Sequence, residues 1–173
     1  MHPKFLSILR TVGVALVLVS ASTAPLAAVP GGDWVVRVRQ GADYASALSR
    51  TGQVEIIIGC GLVDQVWLPE LIVVDHANWL IQRQPAHALT LDMVIDNTRY
   101  PLRITETNAP YYTTAGRLSL AEAQRNFSPT LQQALQRGLR LMIRQRENPT
   151  NRIAVFSLIG SAKSMNQALR RCR

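Results

Sequence analysis

The chain is poor in the side chains that most often carry chemistry: among 173 residues it has two cysteines and three histidines. Asp75, His76 and His87 supply too few ligands, at no fixed helical spacing, for a metal site. No glycine-rich phosphate loop or dinucleotide fingerprint occurs, which argues against a nucleotide cofactor. Gly160-Ser161 lacks the Gly-x-Ser-x-Gly elbow of a serine nucleophile and reads as the start of a helix. Neither a cofactor nor a metal is expected. Long apolar runs are equally scarce: only residues 11–19 form one, about half of the roughly 20 needed to span a bilayer. Internal repeats, low-complexity stretches and interdomain linkers are absent from the sequence.

That one apolar run reads as part of an export signal. Residues 1–10 carry Lys4 and Arg10 and no acid, 11–19 are apolar, and 20–28 are mostly small and end in Leu26-Ala27-Ala28. Cleavage after Ala28 leaves residues 29–173 as a single β-rich domain, periplasmic or fully secreted, with no stable membrane span. No cysteine stands directly after the cleavage site, so lipidation is not expected. Lysine is nearly missing too. The formal net charge of +8 is carried by 17 arginines against two lysines. Arginine binds carboxylate and phosphate in a bidentate fork, so an anionic partner is expected: another envelope protein or an anionic envelope polymer rather than nucleic acid. The alternative is a solvated surface whose charge only aids solubility.

What the sequence does have is apolar alternation of period two. Trp34, Val36 and Val38 alternate with Arg37 and Arg39 in a first strand. Val54, Ile56, Ile58 and Cys60 share one face of a second, flanked by Gly59 and Gly61, which are expected to end it. Residues 62–84 read as two or three short strands interrupted by Pro69, with Trp67 and Trp79 as core anchors. Leu89, Leu91, Met93 and Ile95 pair with Tyr100, Leu102 and Ile104 around the turn Asp96-Asn97-Thr98-Arg99. Residues 105–117, with Tyr111 and Tyr112, are expected to form a long surface loop.

Helical signals enter late. Ser119 with Glu122 makes a capping box, and Ser128-Pro129 opens a segment that stops at Gly138. A strand over 139–145 points Leu139, Leu141 and Ile143 inward and Arg140, Arg144 and Arg146 outward. A turn at 147–151 returns it into 153–158. The final helix, 162–171, is expected to be capped by Ser161 and to carry Met165, Ala168, Leu169 and Cys172 on one stripe. The sum is a mainly β, α+β architecture. It is an antiparallel β-sandwich of about seven to eight strands, with one or two short helices before the C-terminal one.

Both cysteines therefore lie on core-facing positions in an exported chain, and Cys60–Cys172 reads as a disulfide stapling the last helix to the sheet. Two free thiols, or an intermolecular link through Cys172, are the other readings. A catalytic one makes Cys60 a nucleophile, with His76 or His87 as base and Asp75 or Asp64 as orienter.

The run Ala134-Leu135-Gln136-Arg137-Gly138, then Leu139 to Ile143, then Phe156 to Ser161 before a helix resembles the C-terminal pattern of small exported β-sandwich proteins. It is similar to the invasion-associated locus B family. With its early tryptophan, its apolar strand ending in Cys60 and its last helix ending in Cys172, it also resembles the periplasmic accessory proteins of type VI secretion. That resemblance implies a β-sandwich with a terminal helix and a non-enzymatic envelope role, and it brings no catalytic residues. The functional expectation is an accessory protein that engages an envelope or secretion-system component through Arg37, Arg39, Arg140, Arg144, Arg146, Tyr111 and Tyr112. The second expectation is an inhibitor or immunity protein that blocks an enzyme with the 105–116 loop; a cysteine-dependent enzyme is third.

Overall fold

Apolar alternation over many short segments requires a sheet with one buried face. A computed structural model of the protein describes residues 33–39, 41–77, 89–108, 110–115, 118–146 and 152–172. The expected export signal, Trp79, His87 and the 147–151 turn lie outside the described residues.

Nine strands occur among them: β1 (Val35–Arg39), β2 (Ala42–Leu48), β3 (Val54–Val63), β4 (Val66–Asp75), β5 (Leu89–Ile95), β6 (Thr98–Asn108), β7 (Tyr111–Thr113), β8 (Arg140–Gln145) and β9 (Arg152–Ser157). The helices are α1 (Leu120–Asn126), α2 (Pro129–Arg137) and α3 (Ser161–Ala168), which runs into a 3-10 turn, Leu169–Cys172. The strand order is β1-β2-β3-β4-β7-β6-β5-β8-β9, and every neighbouring pair is antiparallel. The fold is therefore mainly antiparallel β, with a disulfide-linked C-terminal helix.

Strand β6 joins two ladders. Thr98 to Ile104 pair with β5, whereas Thr105, Glu106 and Asn108 pair with β7, with a register shift between the last two. The far ends of the sheet also meet. Arg50 donates its backbone N–H to the Val155 carbonyl at 2.9 Å, and the Trp34 indole N–H donates to the Ser157 carbonyl at 2.8 Å. The sheet thus curls until β9 touches the first hairpins. The inward residues of both ladders make one core with Leu131 and Leu135 of α2 and Met165 and Ala168 of α3.

Local chemistry accounts for the element ends. Asp64 and Gln65, and Asp96 and Asn97, all have positive φ, which gives two-residue hairpin turns whose twist matches that of the strands. In the α1 capping box, the Ser119 N–H donates to the Glu122 carboxylate at 3.1 Å. The Ser128 hydroxyl accepts from the Leu131 N–H, and Pro129 opens α2. Gly138 is the C-cap of α2, and a Cβ there would lie 2.5 Å from Ile95 Cγ2.

Several expectations are corrected. Among the described residues the strands number nine, against about seven to eight expected, since Ala42–Leu48 and Tyr111–Thr113 are strands as well. Gly59 and Gly61 do not end β3, and Pro69 does not interrupt β4; the two strands pair without a break from Val54↔Asp75 to Val63↔Val66. The proline is tolerated because β7 pairs only with Ile72 to Val74, leaving that side of Pro69 without a ladder partner among the described residues. Trp67 is 47 % exposed and not a core anchor, because it lies near the hairpin tip beyond the reach of the neighbouring strands. Leu139 is exposed, as β8 begins only at Arg140. Gly160, not Ser161, caps α3; the Ser161 hydroxyl instead donates to the Leu135 carbonyl at 2.7 Å and ties α3 to α2.

The expected staple is present. Cys60 and Cys172 form a disulfide with Cα atoms 5.7 Å apart, 112 residues apart in sequence. Val54, Ile56, Ile58 and Cys60 are all buried, as are Met165, Ala168 and Leu169. Closing so long a loop stabilises the fold by up to about 5 kcal/mol in the chain-entropy description. Replacing both cysteines with alanine is expected to lower stability by about 2–5 kcal/mol. Urea denaturation checks this, and dithiothreitol should produce the same loss in the parent protein and none in the variant.

Candidate binding surface

On strands whose alternate residues fill a core, the other residues must share the opposite face. For β5, β6 and β8 that outer face holds Thr90, Asp92 and Val94, then Arg99, Pro101 and Arg103, then Met142 and Arg144. Register places Asp92 between Pro101 on one side and Arg144 on the other. Its carboxylate is only 1 % exposed, with Oδ2 3.4 Å from Nε of Arg99 and Oδ1 3.4 Å from Nε of Arg146. The half-buried Arg144 finds no hydrogen-bond partner for its Nε among the described residues. Two guanidinium groups thus pair with one carboxylate, with Arg144 beside it on β8, so cationic charge is in excess. Arginine suits this place because a planar fork loses less on partial burial than an ammonium group.

The neighbouring charges extend the surface without neutralising it. Arg103 pairs with Glu122 at 3.5 Å, both side chains substantially exposed, an arrangement that contributes little to stability. Asp96 accepts from the backbone N–H groups of Leu139 and Arg140 at 2.9 and 3.0 Å, which fixes where β8 starts. The Arg140 side chain lines a shallow hollow with Val94, Leu139 and Met142.

Of the seven residues expected to form the binding surface, Arg144 and Arg146 come together, and Arg140 lies on the same strand. Arg37 does not join them. It lines a groove of about 460 Å³ on the outer face of β1–β4, with Val38, Tyr44, Ser46, Glu55, Ile57 and Ile72. Arg39 ends β1, and its side chain lies outside the described ones. Tyr111 is 38 % exposed, but Tyr112 is 2 % exposed and belongs to the core. The reason is register: Tyr112 pairs with Val73 on the inward face, whereas Tyr111 pairs with Val74 on the outer one. The 105–116 segment is accordingly not the surface loop expected. Thr105, Thr113, Thr114 and Ala115 are buried with Tyr112, and the chain here forms the end of β6 and all of β7.

Sequence reasoning missed Asp92 and Arg99. Asp92 is the polar position between Leu91 and Met93, and Arg99 belongs to β6, which begins at Thr98, rather than to the turn expected at 96–99. An acid at an outward strand position opposite outward arginines was the available signal, but it needs the β5–β8 pairing to be known.

The glycines around Cys60 serve packing. A Cβ at Gly59 would lie 2.5 Å from the Tyr44 ring, and one at Gly61 would strike the Glu70 carboxyl. These gaps let Tyr44 and Glu70 lie against β3. Glu70 accepts a hydrogen bond from the Thr113 hydroxyl. Burial pushes its carboxyl above the usual carboxylate range, and the Thr113 hydrogen bond opposes that rise.

The cysteine-nucleophile reading is overturned at Cys60. Cys60 is a disulfide half, so it offers no thiolate, and His76 faces Glu55 at 3.7 Å. Among the described residues no group of three His, Cys, Asp or Glu side chains is arranged to hold a metal ion. Comparison with protein-family models, with curated proteins and with solved structures finds no match to this chain.

Two outcomes are expected here. Asp92→Asn removes the charge with which Arg99 and Arg146 pair and should cost about 1–3 kcal/mol in urea denaturation, with the gap to the parent narrowing in high salt. Glu70 has a folded-state pKa above its unfolded one, so the folded protein holds this proton more tightly. Its contribution is present in acid and is lost as pH rises from the ordinary carboxylate value through the raised one. Glu70→Gln should therefore be more stable than the parent above that window and equal to it below, as read from melting temperature against pH.

Proposed function

We propose that this is an exported, non-enzymatic binding or accessory protein that engages an anionic component of the cell envelope through its arginine face. The observation that carries the reading is the pairing of Arg99 and Arg146 with the buried carboxylate of Asp92, beside Arg144 on the neighbouring strand. Two guanidinium groups on one acid, with a third arginine beside them, leave N–H donors in excess, and those donors match carboxylate or phosphate oxygens. Export supports the choice of partner: the sequence opens with the pattern of a signal, and the Cys60–Cys172 disulfide suits an oxidising compartment. The resemblance to exported β-sandwich proteins of the envelope points the same way.

Anion binding of this kind falls with ionic strength because exposed charges are screened over about 8 Å at physiological salt. The experiment compares the parent with Arg144→Glu/Arg146→Glu on immobilised polyglutamate and polyphosphate, with circular dichroism as the control for folding. The parent should bind at low salt and release as salt rises, and the charge-reversed variant should lose at least tenfold in affinity. Equal retention of both proteins on both polymers would sink the reading. A pull-down from envelope extract with the same pair then isolates the natural partner as the component that only the parent retains.

A further inference from the structure

Beyond Cys60 the β3–β4 hairpin continues as a two-stranded ribbon. The β2 ladder reaches β3 only as far as Ile58, and β7 meets β4 only from Ile72 to Val74. One face of the ribbon is covered: Val63 and Leu68 pack with Ala115, Leu118, Leu120 and Ala123. The other face carries Cys60 opposite Pro69 and, one step on, Leu62 opposite Trp67. Cys172 covers Cys60, and among the described residues the cover stops there. Leu62 and Trp67 are 58 % and 47 % exposed, side by side on a projecting hairpin.

Basic charge lies beside this apolar pair. The 3-10 turn that packs on β3 and β4 presents Arg170 and Arg171, both exposed, and the two line a hollow with Gly41 and Asp43 of the β1–β2 turn. Val38, near the same end of β1, is largely exposed as well.

We propose that this end of the molecule is a peripheral membrane contact for an anionic phospholipid surface. Leu62 and Trp67 enter the boundary between headgroups and acyl chains, and Arg170 and Arg171 pair with lipid phosphates. The indole is suited to that boundary because it has an apolar body and one N–H donor. A protein partner fits less well, since a stable interface buries about 800 Å² on each side and the ribbon offers only a few side chains. The hairpin lies on its side. Asp64 is at the apex, and tip-first entry would carry its carboxylate into the bilayer, whereas Leu62 and Trp67 share the face that can lie flat. Such a contact is peripheral; no helix among the described residues is long and apolar enough to cross a membrane. The contact stands apart from the arginine face and does not rest on it.

The test uses the full protein with vesicles of phosphatidylglycerol and phosphatidylcholine, beside vesicles of phosphatidylcholine alone, both made with chain-brominated lipid. The mixed vesicles should bind the protein and quench its tryptophan fluorescence. Trp67→Phe should keep binding and lose the quenching. Trp67→Ser should weaken binding at least tenfold. Arg170→Glu/Arg171→Glu should remove the preference for phosphatidylglycerol. Absence of vesicle binding overturns the proposal, as does quenching that persists in Trp67→Phe. Binding that survives Trp67→Ser but disappears in Arg144→Glu/Arg146→Glu would overturn it too, by placing the lipid on the arginine face. A dimer in sedimentation that Trp67→Ser dissolves, without vesicle binding, would assign the pair to self-association and overturn the proposal likewise.

Discussion

Strand β6 is the constraint on which the rest of the structure depends. Its first part holds β5 and its last part holds β7, so the register of both ladders is set along one continuous backbone. Side chains alternate strictly along a strand, so a slip of one residue at β6 would turn the inward Leu102 and Ile104 outward. It would also carry the pairing of Asp92 with Pro101, and hence the place of Arg99, away from the arginine face. Core and surface are two readings of one register.

Closure of the sheet depends on the same strand. With β6 shared, the sheet turns along its length, and β9 comes back against the first hairpins through Trp34 and Arg50. The space enclosed is filled by α2 and α3, with Ser161 tying one helix to the other and Cys172 tying the end of the chain to β3. The disulfide closes a loop containing most of the strands, so its entropic effect on the unfolded chain bears on the whole sheet. Cys60 is consequently a structural residue, and the outward glycines beside it accommodate Tyr44 and Glu70.

Much of the core was legible from periodicity. The inward positions of β3, β5 and the last helix follow from apolar residues at every second place, or at i, i+3, i+4 and i+7. Caps at Ser119 and Ser128 and the Asp96-Asn97 turn follow from side-chain chemistry within a few residues. Where the reading failed, the missing information was a neighbour. Tyr112 is buried because the short β7 is inserted between β4 and β6, and Trp67 is exposed because no third strand among the described residues reaches the hairpin tip. The arginine face was half legible: Arg144 and Arg146 were placed outward, but Asp92 and Arg99 joined them only through the pairing of β5 with both β6 and β8.

By itself the sequence determined which residues of each strand share a face, where most turns and caps fall, and that both cysteines point toward the core. These are local matters, governed by backbone sterics, alternation and hydrogen bonds between residues close in the chain. Only the tertiary structure decided which strands are neighbours, and so which arginines meet one acid, which tyrosine is buried and which tryptophan is left in solvent. A strand's period says which way a side chain points, but the group it meets belongs to another strand, brought there by burial of the shared core.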